Sequence, residues 1–136
     1  MEKKRYAKII IIRRVEDPPT LTPESKLEWI CECLGLNKND ELAMRIFKAL
    51  VLAGEKGDGV STREIMEKAD VTQGAIVYHM NSFIRSGLII KQGRRYFLRA
   101  QTLENTIEEM EQDMLRMMDR MRKIAKMLEM DYRMRL

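Results

Sequence analysis

Apolar residues recur along this chain at three different spacings, and each spacing predicts its own kind of element. Tyr6 to Val15 reads as a strand, with Ile9–Ile12 apolar on both faces and so covered on both. Asp17-Pro18-Pro19 ends it. Thr22-Pro23-Glu24 then opens a helix, with Thr22 as N-cap and proline at the first helical position. Leu27, Ile30 (or Trp29), Cys31 and Leu34 supply its apolar stripe, and Gly35 stops it as the left-handed cap residue. Asn39-Asp40-Glu41 starts a second helix, with acids at its positive end. Leu42, Ile46, Leu50 and Ala53 form its buried stripe, joined by Ala43, Phe47 and Val51, and Gly54 is expected to close it.

Ser61-Thr62-Arg63-Glu64 has the spacing of a capping box, in which a hydroxyl and a carboxylate satisfy two helix-start N–H groups reciprocally. The helix it starts is short, with Ile65, Met66 and Ala69 apolar. Asp70 to Gln73 is a tight turn, and Thr72 caps a further helix running to about Ser86, ended by Gly87. Leu88-Ile89-Ile90-Lys91, a Gln92-Gly93 turn and Arg94 to Leu98 make a hairpin of two short strands. Helix, short helix, tight turn, helix and hairpin is the order of a winged helix-turn-helix.

From Leu103 onward the chain has no Gly or Pro. Leu103, Ile107, Met110, Met114, Met117, Met121, Ile124 and Leu128 alternate at spacings of four and three, a heptad seam that breaks at Asp131. A body of this size cannot cover a stripe that long, so a second copy of the chain is the expected cover. The Met-rich composition of the seam reads as adaptable packing rather than a metal or cofactor groove. The expected fold class is mainly α with a small β-hairpin wing, a winged helix-turn-helix followed by a long coiled-coil helix. The expected division is 1–35 as an N-terminal strand and helix extension, 36–101 as the DNA-binding domain and 102–136 as the dimerisation helix.

Charge sharpens this picture. The chain of 136 residues carries a net +4, unevenly placed. Between Val71 and Leu103 there is no acid, while Arg85, Lys91, Arg94, Arg95 and Arg99 are basic. A carboxylate there would repel phosphate, so an acid-free basic stretch suits a polyanion-facing surface. On a helical wheel Ile76, Met80, Phe83 and Ile84 fall on the core side of the Gln73 helix. Gly74, Tyr78, Asn81 and Arg85 fall opposite, with Val77 and Ser82 on the flanks. Asn81 can grip adenine at two points, Val77 can touch a thymine methyl, and Gly74 lets backbones approach. Thr72 and Gln73 at the helix start suit a phosphate. Lys91, Arg94 and Arg95 surround the wing turn, where a wing meets the DNA backbone or minor groove. Ser61 and Thr62 complete the expected DNA-contacting set. His79, the one histidine, reads as a packing residue.

Val71-Thr72-Gln73-Gly74-Ala75-Ile76-Val77-Tyr78-His79-Met80, followed by Ser86-Gly87-Leu88-Ile89, resembles the recognition helix of ArsR-type and related archaeal winged-helix transcription regulators. Leu34 to Glu41 is similar to the helix start of TrmB-like regulators, and the likeness covers roughly residues 36–99. It implies a cytoplasmic, homodimeric, sequence-specific regulator of double-stranded DNA. No apolar run is long enough to span a membrane, and no nucleophile–base pair, paired carboxylates or Gly-rich phosphate loop suggests an enzyme. No cofactor or metal is expected.

Two alternatives stand beside this reading. One is a winged helix used as a protein-interaction module in a larger assembly. The other is a metal- or thiol-responsive regulator using Cys31 and Cys33, since some ArsR-type sensors carry a Cys-x-Cys pair. Positions two apart on a helix point about 200° away from each other, so one helix cannot chelate with both. Structural cysteine is the better reading of that pair.

Overall fold

The computed structural model describes residues 22–135. The strand expected over Tyr6–Val15 lies outside the described residues. Seven elements follow in order: α1 (Pro23–Cys33), α2 (Glu41–Glu55), α3 (Thr62–Lys68), α4 (Gln73–Arg85), β1 (Ile89–Gln92), β2 (Arg95–Leu98) and α5 (Leu103–Arg135). The described residues are mainly helical with one small antiparallel hairpin.

Each helix starts where the sequence supplies an acceptor for an orphan N–H. The Thr22 hydroxyl accepts from Ser25 N–H at 3.1 Å, Asp40 Oδ1 from Ala43 N–H at 3.0 Å, and Thr72 Oγ1 from Ala75 N–H at 3.1 Å. The capping box on α3 is complete: Ser61 Oγ accepts from Glu64 N–H at 3.2 Å, and Glu64 Oε1 accepts from Ser61 N–H at 3.1 Å. Thr102 Oγ1 does the same for Asn105 N–H at 3.2 Å at the start of α5. Each such cap contributes about 1 kcal/mol.

Helices α1, α2 and α4 end alike. In α2, Gly57 N–H donates to Gly54 O and Asp58 N–H donates back to Ala53 O, the paired bonds of a Schellman motif. That motif needs a left-handed residue, and Gly57 has φ 75°. The helix therefore ends past Gly54, not at it. Gly54 lies buried inside α2 and serves a packing role.

The core lies between α2, α4 and the hairpin. Ile46, Phe47 and Leu50 of α2 meet Ile76, Met80 and Phe83 of α4, with Ile65, Leu88, Ile89, Tyr96 and Leu98 around them. The Phe47 and Phe83 rings sit 6.2 Å apart and tilted by 49°. Cys31 of α1 and Leu34, which caps its C-terminal end, belong to the same core. Met66 on α3 is 40% exposed.

In the hairpin Ile89 pairs with Leu98 and Gln92 with Arg95. Gly93 and Arg94 are thus the two loop residues, one position later than the expected Gln92-Gly93 turn. Glycine at the first loop position, here with φ 64°, lets the turn follow the twist of the strands. Val60 forms a bridge to Tyr96 through reciprocal 2.8 Å backbone bonds. The segment before α3 thus lies along one edge of β2, with β1 along the other.

Helix α5 leaves this body by a built joint. Thr106 is fully buried, and its hydroxyl accepts from Ala100 N–H at 3.0 Å. Arg99 donates from Nη1 to Asp113 at 2.6 Å and from Nε to Glu109 at 3.0 Å. Leu103 and Met110 pack against the core. Beyond Met110 every residue through Arg135 is exposed except Asp113. At ~1.5 Å per residue the helix is about 50 Å long.

Candidate nucleic-acid interface

The four-residue stretch Ala69–Thr72 turns the chain from α3 into α4. Val71 packs inward and Thr72 caps the next helix, so the turn is anchored at its centre and its end. Burial on α4 follows the wheel: Ile76, Met80 and Phe83 are inside, whereas Gly74, Tyr78, Asn81 and Arg85 are exposed and Val77 and Ser82 are half-buried. Gln73 and Thr72 are exposed at the helix start, and Ser61 and Thr62 are half-buried at the start of α3.

Tyr78 is 67% exposed, which leaves a large aromatic ring projecting outward. His79 meets it edge-on, with centroids 5.3 Å apart. His79 itself is mostly covered, and its Nε2 lies 3.4 Å from Asp40 Oδ2. Asp40 is also the N-cap of α2, so one carboxylate caps that helix and steadies α4 beside Tyr78. Sequence reasoning read His79 as packing but had no signal for this partner, which lies 39 positions earlier.

Among the described residues nothing requires glycine at position 74. A Cβ added there would meet only Thr72 Oγ1, at 4.0 Å. Glycine in a helix costs roughly 0.5–1 kcal/mol relative to alanine.

The basic stretch divides in space. Arg85, Lys91 and Arg94 are exposed and have no acidic partner among the described residues. Lys91 Nζ lies 5.4 Å from the centre of the Tyr96 ring, which steadies it at the root of the wing. Arg95 is committed internally: its Nη2 donates to Gly59 O at 2.6 Å and to both Glu64 oxygens at 3.1 and 3.0 Å. Arg99 is committed to Glu109 and Asp113 at the α5 joint. A run without acids in sequence is not a run without acids in space. Two of its five cations are paired with carboxylates, Arg95 with Glu64 of α3 and Arg99 with Glu109 and Asp113 of α5.

The paired carboxylates respond as expected. Glu64 is held below the usual carboxylate range, chiefly by the Ser61 backbone N–H and then by Arg95. Asp113 is lowered first by the hydrogen bond from Arg99.

The two cysteines part company. Cys31 is buried in the core, and burial pushes its thiol up to about 12. Cys33 is half-buried on the same helix. Among the described residues no group of three His, Cys, Asp or Glu side chains is placed to hold a metal ion.

The seam on α5 also divides. Leu103 and Met110, expected to face a partner, turn to the protein's own core. Ile107 is 36% exposed, and Met114, Met117, Met121, Ile124 and Leu128 are each roughly half exposed. No described helix is long and apolar enough to cross a membrane. Comparison with protein-family models, curated proteins and solved structures gives no match to this chain.

Proposed function

We propose that this chain is a winged helix-turn-helix protein that binds double-stranded DNA as a homodimer and regulates transcription, with α4 in the major groove and the β1–β2 hairpin as wing. One observation carries the reading. The outward side of α4 presents Gly74, Tyr78, Asn81 and Arg85 without an acid, and exposed Lys91 and Arg94 follow it on the adjoining hairpin. Side chains that can read base edges thus lie next to cations that can hold phosphates, which is the division of labour a DNA reader needs.

The partner for the dimer is a second copy. A heptad seam of exposed Met114, Met117, Met121, Ile124 and Leu128 on one uncovered helix face is complementary to itself. Two-fold pairing would set two α4 helices on one duplex, so the site should be a pseudo-palindrome with half-sites ~10 bp apart or a multiple of that.

The test is binding to a labelled random-sequence duplex pool, followed by selection from that pool. Wild type should retain a palindromic subset, and changing Tyr78, Asn81 and Arg94 together to alanine should abolish retention. Retention unchanged by the triple substitution would favour the interaction-module reading. Commitment of Arg95 and Arg99 to carboxylates gives that second reading its support, since it leaves three of the five cations between Val71 and Leu103 without an acidic partner among the described residues. The thiol-responsive version has weaker support, because a buried thiol pushed up to about 12 is a poor source of thiolate at neutral pH.

A further inference from the structure

We infer that Arg95 and Glu64 are positioning residues of the DNA-binding surface: their contact sets the wing against the start of α3, and Arg95 does not serve as a phosphate ligand. The inference rests on the DNA-binding reading above and deepens it.

Three groups meet at this point. Glu64 Oε1 accepts from Ser61 N–H and so finishes the cap of α3. Both Glu64 oxygens also accept from Arg95 Nη2, and the same nitrogen donates to Gly59 O at 2.6 Å. One residue away on each strand, Val60 and Tyr96 exchange two 2.8 Å backbone bonds. The Phe97 ring lies against Gly59, so close that a Cβ there would fall 2.7 Å from it. Residues 59–64 are therefore pinned to β2 by backbone, by a guanidinium and by ring contact. Arg95 is the first residue of β2, directly after the wing loop, so this contact fixes where Arg94 and Lys91 stand relative to α4.

The side chains of Arg95 and Glu64 are 42% and 46% exposed, so the pair is solvent-screened and its energetic effect is small. A local effect, on the geometry and opening of this corner rather than on global stability, is what such a pair can exert.

Glu64→Gln separates the two roles that Arg95 could have. Glutamine keeps the capping-box acceptor but removes the charge that holds Arg95. The measurement is fluorescence anisotropy of the full-length protein on a labelled random-sequence duplex pool over a range of salt, with Arg94→Ala as the reference for a lost phosphate contact. Arg94→Ala should lower the slope of log K against log salt by about 0.9. Glu64→Gln and Arg95→Ala should each weaken binding about two- to fivefold with the slope kept at the wild-type value. Amide exchange of the free protein should quicken in both variants at Val60 and Tyr96, which depends on no ligand. A tighter complex for Glu64→Gln, or a slope lowered by about 0.9 for Arg95→Ala, would overturn the inference and make Arg95 a phosphate ligand that Glu64 restrains. Unchanged exchange at Val60 and Tyr96 would overturn it as well. Absence of salt-dependent binding in the wild type would instead sink the DNA-binding reading, and the inference for duplex binding with it.

Discussion

The backbone carbonyl of Gln101 rests against the α-carbon of Gly54, so close that a side chain at position 54 would overlap it. Gln101 also has φ 74°, the one described non-glycine residue in the left-handed region. Helix α2 and the turn into α5 therefore meet backbone to backbone. The direction in which α5 leaves the body depends on that contact together with Thr106 and Arg99.

Gly54→Ala should destabilise the fold by about 1–3 kcal/mol, because the obstacle is backbone and cannot rotate away. Gln101→Gly should stabilise it by about 1 kcal/mol by removing a left-handed side-chain penalty. Chemical denaturation of both variants checks the pair. A neutral Gly54→Ala would mean that α2 and the turn are not in contact.

Gly74→Ala should act in opposite directions on folding and on binding. The fold gains roughly 0.5 kcal/mol from the better helix former, since only Thr72 Oγ1 is near. The complex with duplex should weaken, since the methyl group occupies the side from which DNA approaches. Thermal melts beside anisotropy titrations read the two effects separately, and an equal or tighter complex counts against α4 as the reading helix.

Side chains on α4 and on the wing should lose different things. Asn81→Ala and Tyr78→Ala should each cost about 1–3 kcal/mol on the selected site and relax specificity at single base positions. Arg94→Ala and Arg85→Ala should weaken all sequences alike and lower the salt slope by about one each. Selection repeated with each variant shows which class it belongs to.

Association should depend on the outer part of α5. Met114→Glu with Met121→Glu places charge in the seam and should convert dimer to monomer without unfolding the body, because both residues are remote from the core. Sedimentation measures this directly. Met110→Glu should damage the fold itself, since Met110 packs on the protein's own core. A monomeric wild type would refute the dimer.

Acid should loosen the α5 joint. Asp113 is lowered from its ordinary value, first by the Arg99 hydrogen bond, so the folded state holds its proton less tightly than the unfolded chain does. Its contribution is therefore fully present above about pH 4 and is lost as pH falls through the lowered folded value. Asp113→Asn should remove that part of the acid dependence, and high salt should shrink it, because the carboxylate is 44% exposed. Unfolding curves recorded between neutral and acid pH provide the check.

Local chemistry was legible because its causes are local. Thr22, Asp40, Ser61 and Thr72 announce helix starts, Gly35 and Gly87 announce ends, and the wheel of α4 follows from spacing alone; all of these are seen in the structure. The hairpin was legible to within one residue, since Gln92-Gly93 and Gly93-Arg94 have nearly the same turn chemistry and only strand register separates them. What the sequence could not decide is which distant groups meet. Glu64 reaches Arg95 across 31 positions, Asp40 reaches His79 across 39, and Gly54 leaves room for the Gln101 carbonyl across 47. A charge pattern read along the chain assigns every cation to solvent, whereas packing α3 and α5 against the hairpin brings carboxylates to Arg95 and Arg99. The same holds for the seam: spacing marks Leu103 and Met110 as apolar, but only the docking of α5 determines that they face their own core while Met114 to Leu128 remain uncovered. Caps and periodicity act within a few residues, whereas the partner of a charge or the cover of an apolar face depends on the packing of the whole chain.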